Sequence, residues 1–158
     1  MFLTLLHLGL RESEMLALKF PTQYKDGYFL NIKRKGNKTT KKLRVPQPVR
    51  EAIERYFEIE RGRDRGPLFQ SKNGEHLAPQ NLDDALKAIA AQANSTLPQQ
   101  EQIHFSAHML RHTALRRAAE KDIRYAMKLS GHSSNKYIWR YTEPDQKEFD
   151  DAVEGLYD

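Results

Sequence analysis

Apolar positions recur along this chain at helical spacing, interrupted once by a short stretch with strand-like alternation. Met1 to Leu8 is an apolar segment read as the end of a helix, with Gly9 as its stop. Ser13 is a fair cap for a second helix through Met15, Leu16 and Leu18. Gly27 to Lys33 is partly alternating and rich in β-formers, Lys35-Gly36-Asn37-Lys38 reads as a turn, and Leu43-Arg44-Val45 returns as a second strand stopped by Pro46 and Pro48. Val49 to Arg61 then places Val49, Ala52, Ile53, Tyr56 and Ile59 or Glu60 at helical spacing. Gly62 to Pro67 is a loop. Pro79 to Ala93 is another helix, with Leu82, Leu86, Ile89 and Ala93 inward and Pro79 near its first position. Asn94 to Gln102 is polar, holds Pro98 and reads as a surface loop. The pattern predicts an α+β chain, mostly helical, with one small antiparallel sheet or hairpin.

At 158 residues the chain suits one domain with a real core. No apolar run approaches the roughly 18 residues that a membrane span needs. The apolar opening lacks the basic start and small-residue cleavage site of a signal peptide. These features point to a cytoplasmic chain with no membrane partner. With no cysteine there are no disulfides or thiolate metal sites, and the 6 histidines show no paired metal-ligand spacing.

Charge changes the picture more than composition does. The net charge is +5, but residues 143–158 carry seven acids and one lysine, a balance of −6, so residues 1–142 carry +11. A basic body with an acidic tail is the charge map of a polyanion binder with a docking end. Seven basic residues and no acid lie between Lys33 and Arg44: Lys33, Arg34, Lys35, Lys38, Lys41, Lys42 and Arg44. On a hairpin they would present a positive ridge to a phosphate backbone. A charged edge that blocks sheet aggregation is the competing explanation. The tail places Phe149, Val153 and Leu156 at near-helical spacing, the pattern of a short amphipathic helix.

Titratable residues concentrate between Phe105 and Thr142. His108 and Arg111 lie at i, i+3, the spacing of one helix face. Gly131 would end a helix, Ser133 or Ser134 would start the next, and Tyr141 falls late on it. A packed core does not need such a polar set. His108-Met109-Leu110-Arg111-His112, then Leu129-Ser130-Gly131-His132-Ser133, then Tyr141-Thr142 resemble the motifs of the tyrosine recombinase (phage integrase) family. Gly9-Leu10-Arg11-Glu12-Ser13-Glu14 resembles the family's first arginine motif, which carries a glutamate three residues after the arginine. Alone, Arg11 could be a helix-flanking surface residue. Three downstream motifs in order make that weaker. Ser130 departs from the family, standing where an apolar residue is usual.

The resemblance covers the chain from Leu8 to about Thr142 and implies a catalytic domain of that family, single over 1–158, with 143–158 as its acidic tail helix. The family's N-terminal helical domain, which clamps the other face of the DNA, has no counterpart in this sequence. The implied partner is double-stranded DNA, with self-association into a tetramer on it through the tail. The implied reaction is strand cleavage and rejoining through a covalent 3′-phosphotyrosine, with no metal, ATP or other cofactor. Tyr141, nine residues past His132, occupies the nucleophile's position; Tyr137 is a nearby competitor. Arg11 and Arg111 would hold the phosphoryl oxygens with donors that never deprotonate. His108 and His132 could donate to the same oxygens or pass protons near neutral pH, His108 being the candidate base. Lys35, just before the turn glycine, is the candidate acid, with Lys33 and Lys38 as alternatives. Glu14 would support Arg11. His112 is either a supporting residue or a hydrogen-bonding core histidine. Two other readings stay open: a DNA-binding module that retains the pocket without cutting, and a type IB topoisomerase.

Overall fold

The computed structural model describes residues 1–131 and 146–154. It divides into two units, Met1–Ala114 and Leu115–Asp158.

The first unit opens with α1 (Phe2–Leu8), which stops where expected: Gly9 adopts φ 54, and its N–H reaches the Leu5 carbonyl at 3.0 Å. The second helix, α2 (Glu12–Leu16), is capped differently from expectation. Its cap is Arg11 and not Ser13, because the Glu14 carboxylate accepts the Arg11 backbone N–H at 2.9 Å. A carboxylate in the first helical turn also suits the positive end of the helix dipole.

Among the described residues there are two small antiparallel sheets where one was expected. β1 (Lys19–Phe20) pairs with β5 (Gly66–Pro67), so part of the expected loop at 62–67 is a strand. Arg61 accounts for that ordering: it is buried, and its guanidinium donates to the carbonyls of Gly62, Asp64 and Pro67. The larger sheet runs β2 (Tyr24–Lys25), β3 (Tyr28–Arg34), β4 (Lys38–Arg44). The hairpin loop is Lys35-Gly36-Asn37, with Gly36 at φ 77 and Asn37 at φ 56, the left-handed pair of a tight connection.

Alternation along β3 changes phase at one residue. Phe29 faces the core, and simple alternation would next bury Asn31, Lys33 and Lys35. Asn31 instead sits at φ 49, and the buried positions become Ile32 and Arg34. Asn tolerates this region better than most side chains. The switch exposes Lys33 and Lys35 and turns Arg34 inward.

α3 (Gln47–Tyr56) continues into a π-helical turn, Phe57–Arg61. Val49, Ile53 and Phe57 are its buried stripe. Of the positions expected on the inward face, Ala52 is exposed, and so are both Ile59, at 71%, and Glu60. α4 (Pro79–Asn94) has Pro79 at its first position as expected. Its buried stripe is Leu82, Leu86 and Ala90, whereas Ile89 and Ala93 are exposed. The expected loop after it holds one 3-10 turn, Gln99–Glu101, and is tied back by Asn94, whose side chain bonds both the N–H and the carbonyl of Ile103. Leu5, Leu10, Met15, Phe29, Ile32, Val49, Leu82 and Leu110 share one core.

α5 (Ala107–Lys121) begins after Ser106, whose hydroxyl accepts the Met109 N–H at 3.3 Å. In the second unit, α6 (Ile123–Ser130) is capped by Asp122, which accepts the Arg124 N–H at 2.8 Å, and ends at Gly131, φ 71, as expected. Ser130 is buried and satisfies its hydroxyl on the Met127 carbonyl at 3.0 Å, which is how a polar residue fits there. α7 (Gln146–Glu154) is the helix expected in the tail, with Phe149 and Val153 exposed. Leu156 lies outside the described residues, as do Ser133 and Ser134.

Candidate DNA strand-transfer site

Three arginines from distant parts of the sequence meet one buried carboxylate. Glu14 is 6% exposed. Its Oε1 accepts from Arg11 Nη1 at 2.8 Å, and its Oε2 accepts from Arg34 Nη1 at 2.6 Å. Arg111 Nη1 stands 3.9 Å from the same Oε2 and donates to the Gly9 carbonyl. Burial pushes the Glu14 pKa up. The Arg11 backbone N–H, the Arg34 charge and the hydrogen bonds from both guanidinium groups outweigh it, so the carboxyl lies below its usual range.

The helix stop at Gly9 contributes directly. By ending α1 it frees the Gly9 carbonyl for Arg111 and sets Arg11 at the start of α2. A guanidinium has five donors in a fixed plane, so anchoring one edge orients the rest. Arg11 keeps 27% of its side chain exposed, whereas Arg111 and Arg34 keep 5% and 1%.

His108 and Arg111 do share α5, but not one environment. Arg111 is buried and His108 is exposed, paired with His112 one turn on. Their Nε2 atoms are 2.6 Å apart and the rings meet edge to face, with centroids 4.2 Å apart. One Nε2 must carry the proton and the other accept it. His112 has a lowered pKa, from burial first and then from the charges of His108 and Arg111. That favours the neutral form of His112.

The hairpin brings most of the expected cations outward. Lys33, Lys35, Lys38, Lys41, Lys42 and Arg44 are exposed. Lys42 Nζ lies 3.9 Å from the Tyr28 ring centre and the Arg44 guanidinium 4.8 Å from it, so one aromatic ring holds two members of the ridge. Arg34 does not belong to that ridge. The phase change at Asn31 buries it, and its Nε donates to Thr40 Oγ1 at 2.9 Å. His132 and Tyr141 lie outside the described residues. The Arg34 contact and the Tyr28 stack were missed by sequence reasoning. The sequence shows only Asn31, a residue type that tolerates the left-handed region, inside an apparently alternating strand.

The chain belongs to the phage integrase family, whose model matches residues 1–148. Among curated relatives it is similar to tyrosine recombinase XerC of Alcanivorax borkumensis, 29% identical over 155 residues, covering 94% of this chain and 48% of that protein. The chain thus spans about half the length of the curated relatives it matches. Among solved structures it resembles XerA recombinase, with a TM-score of 0.74 at 18% identity, over 94% of this chain and 54% of that one. It also resembles the XerH site-specific recombinase solved on a palindromic difH substrate after cleavage, with a TM-score of 0.68 at 22% identity, over 99% of this chain and 44% of that one. The shared architecture is the mostly helical recombinase catalytic fold with small antiparallel sheets.

Proposed function

We propose that the chain carries the strand-cleaving centre of a tyrosine-type site-specific DNA recombinase, with double-stranded DNA as its substrate. The observation that carries this reading is the convergence of Arg11 and Arg111 on Glu14, two family-motif arginines separated by most of the chain. Family membership and the recombinases among its relatives support it.

In this reading the phenolic oxygen of Tyr141 attacks the scissile phosphorus and forms a 3′-phosphotyrosine. The bond from phosphorus to the 5′ oxygen breaks. An unperturbed phenol has a pKa of about 10, so it needs a base and a positive field to attack at neutral pH. His108 takes the phenolic proton, with His112 as its neutral hydrogen-bond partner. Negative charge building on the phosphoryl oxygens meets Arg11, Arg111 and His132. Lys35 protonates the departing 5′ oxygen. The covalent bond conserves the phosphodiester energy, and attack by a 5′ hydroxyl reverses the step. Exposed Lys33, Lys38, Lys41, Lys42 and Arg44 would track the phosphate backbone.

A nicked suicide substrate tests this: the chain should form a covalent protein–DNA adduct, lost in Tyr141→Phe and largely kept in Tyr137→Phe. Binding without an adduct would make the chain a non-cutting module. Relaxation of supercoiled plasmid without partner exchange would make it a topoisomerase.

A further inference from the structure

We propose that Arg34 is a positioning residue for Lys35, tying the hairpin turn to the carboxylate shared by Arg11 and Arg111. The proposal rests on the reading of Lys35 as the proton donor. Its ground is geometric.

Arg34 is the last residue of β3 and precedes the Lys35-Gly36-Asn37 loop. It is 5% exposed, in a hairpin whose other cations face solvent. Two bonds fix its guanidinium plane: Nη1 to Glu14 Oε2 at 2.6 Å, and Nε to Thr40 Oγ1 at 2.9 Å on the facing strand. Glu14 is held in turn by Arg11, through Nη1 at 2.8 Å and the backbone N–H at 2.9 Å.

The loop itself gives little anchorage. A side chain at Gly36 would meet nothing within 4 Å, so the turn projects into open space. Lys35 has a long, flexible stem, and proton transfer needs hydrogen-bond reach of the departing oxygen. Consecutive Cα atoms are about 3.8 Å apart, so fixing Arg34 limits where Lys35 can start. The carboxylate that orients the clamp therefore also sets the base of the turn. Lys35 is thus tied to the site through Arg34, while Arg11 keeps its own bonds to Glu14 through its guanidinium and its backbone N–H.

The experiment compares two suicide substrates, one with the ordinary bridging 5′ oxygen and one with a bridging 5′ sulfur. With oxygen, the P–O bond breaks as the Lys35 proton goes to the leaving oxygen. With sulfur, the P–S bond breaks and the thiolate leaves unprotonated. Single-turnover cleavage by Arg34→Gln should fall roughly tenfold or more on oxygen, part of the usual worth of a general acid, and return to within a few-fold of wild type on sulfur. Arg34→Lys, which keeps the charge beside Glu14 but not the Thr40 bond, should show the same selectivity to a smaller degree. Thr40→Val removes only the Nε acceptor and serves if Arg34→Gln fails to fold; it too should be slower on oxygen alone. Lys35→Ala runs beside them. If Lys35→Ala is rescued by sulfur and the Arg34 and Thr40 variants are equally slow on both substrates, or unaffected on both, the proposal is overturned while the reading of Lys35 stands. If Lys35→Ala itself shows no sulfur rescue, both are overturned.

Discussion

At the scale of single residues, Glu14 decides the character of the site. It is a buried carboxylate compensated by three cations, and such a group is costly to leave half-paired. Glu14→Gln should lower unfolding stability by about 3 kcal/mol, the scale for removing one partner of a buried ion pair. The sign of its pH dependence follows from its lowered pKa. The stabilisation is fully present above the unfolded carboxyl pKa of about 4.3 and is lost as pH falls through the folded value. Urea midpoints at neutral and acidic pH should converge between wild type and Glu14→Gln as pH drops; a constant gap would mean that Glu14 is not ionised in the fold. Arg11→Ala should slow cleavage by about two orders of magnitude or more, as when one transition-state donor is removed. DNA binding should weaken far less, because the hairpin cations remain. Near wild-type cleavage in Arg11→Ala would place the phosphate elsewhere. Motif spacing made Arg11, Glu14, His108 and Arg111 legible as candidates. The partner of Arg34 was not, because a cation in a basic run reads as solvent-facing until the phase of its strand is known.

The β3–β4 hairpin shows how one element sets which cations are available. Asn31 at φ 49 moves the buried face from Phe29 to Ile32 and Arg34, and so puts Lys33 and Lys35 outside. Asn31→Val should cost roughly 1–2 kcal/mol, since a β-branched residue is strained in the left-handed region. Asn31→Gly should be tolerated. Thermal unfolding of the two variants checks this, and equal stability would remove the phase change from the explanation. Helices with strong punctuation were readable in advance: Gly9, Pro79 and Gly131 stand at the boundaries where they were expected. The two-residue strands were not. β1 and β5 are too short to alternate, and β5 is ordered by Arg61, which gathers the carbonyls of Gly62 and Asp64 before it and of Pro67 within it.

For the whole molecule, charge separates a basic body from an acidic tail. Residues 143–158 balance −6 against +11 elsewhere. Within that tail, α7 exposes Phe149 and Val153 on a short helix, which is marginal without a surface to pack on. We expect the tail to act as a tether that docks on a neighbouring protomer on DNA. Deleting 149–158 should then depress recombination far more than cleavage of a suicide substrate. Equal recombination yields for the deletion and the full chain would rule the tether out.

If the chain cleaves DNA as proposed, Tyr141 becomes covalently joined to it. The most direct measurement is denaturing electrophoresis of the chain after incubation with a labelled suicide substrate, followed by mapping of the labelled peptide. A slow-migrating adduct should form, its label mapping to Tyr141, and it should be absent in Tyr141→Phe. An adduct that persists in Tyr141→Phe, or maps to Tyr137, would contradict it.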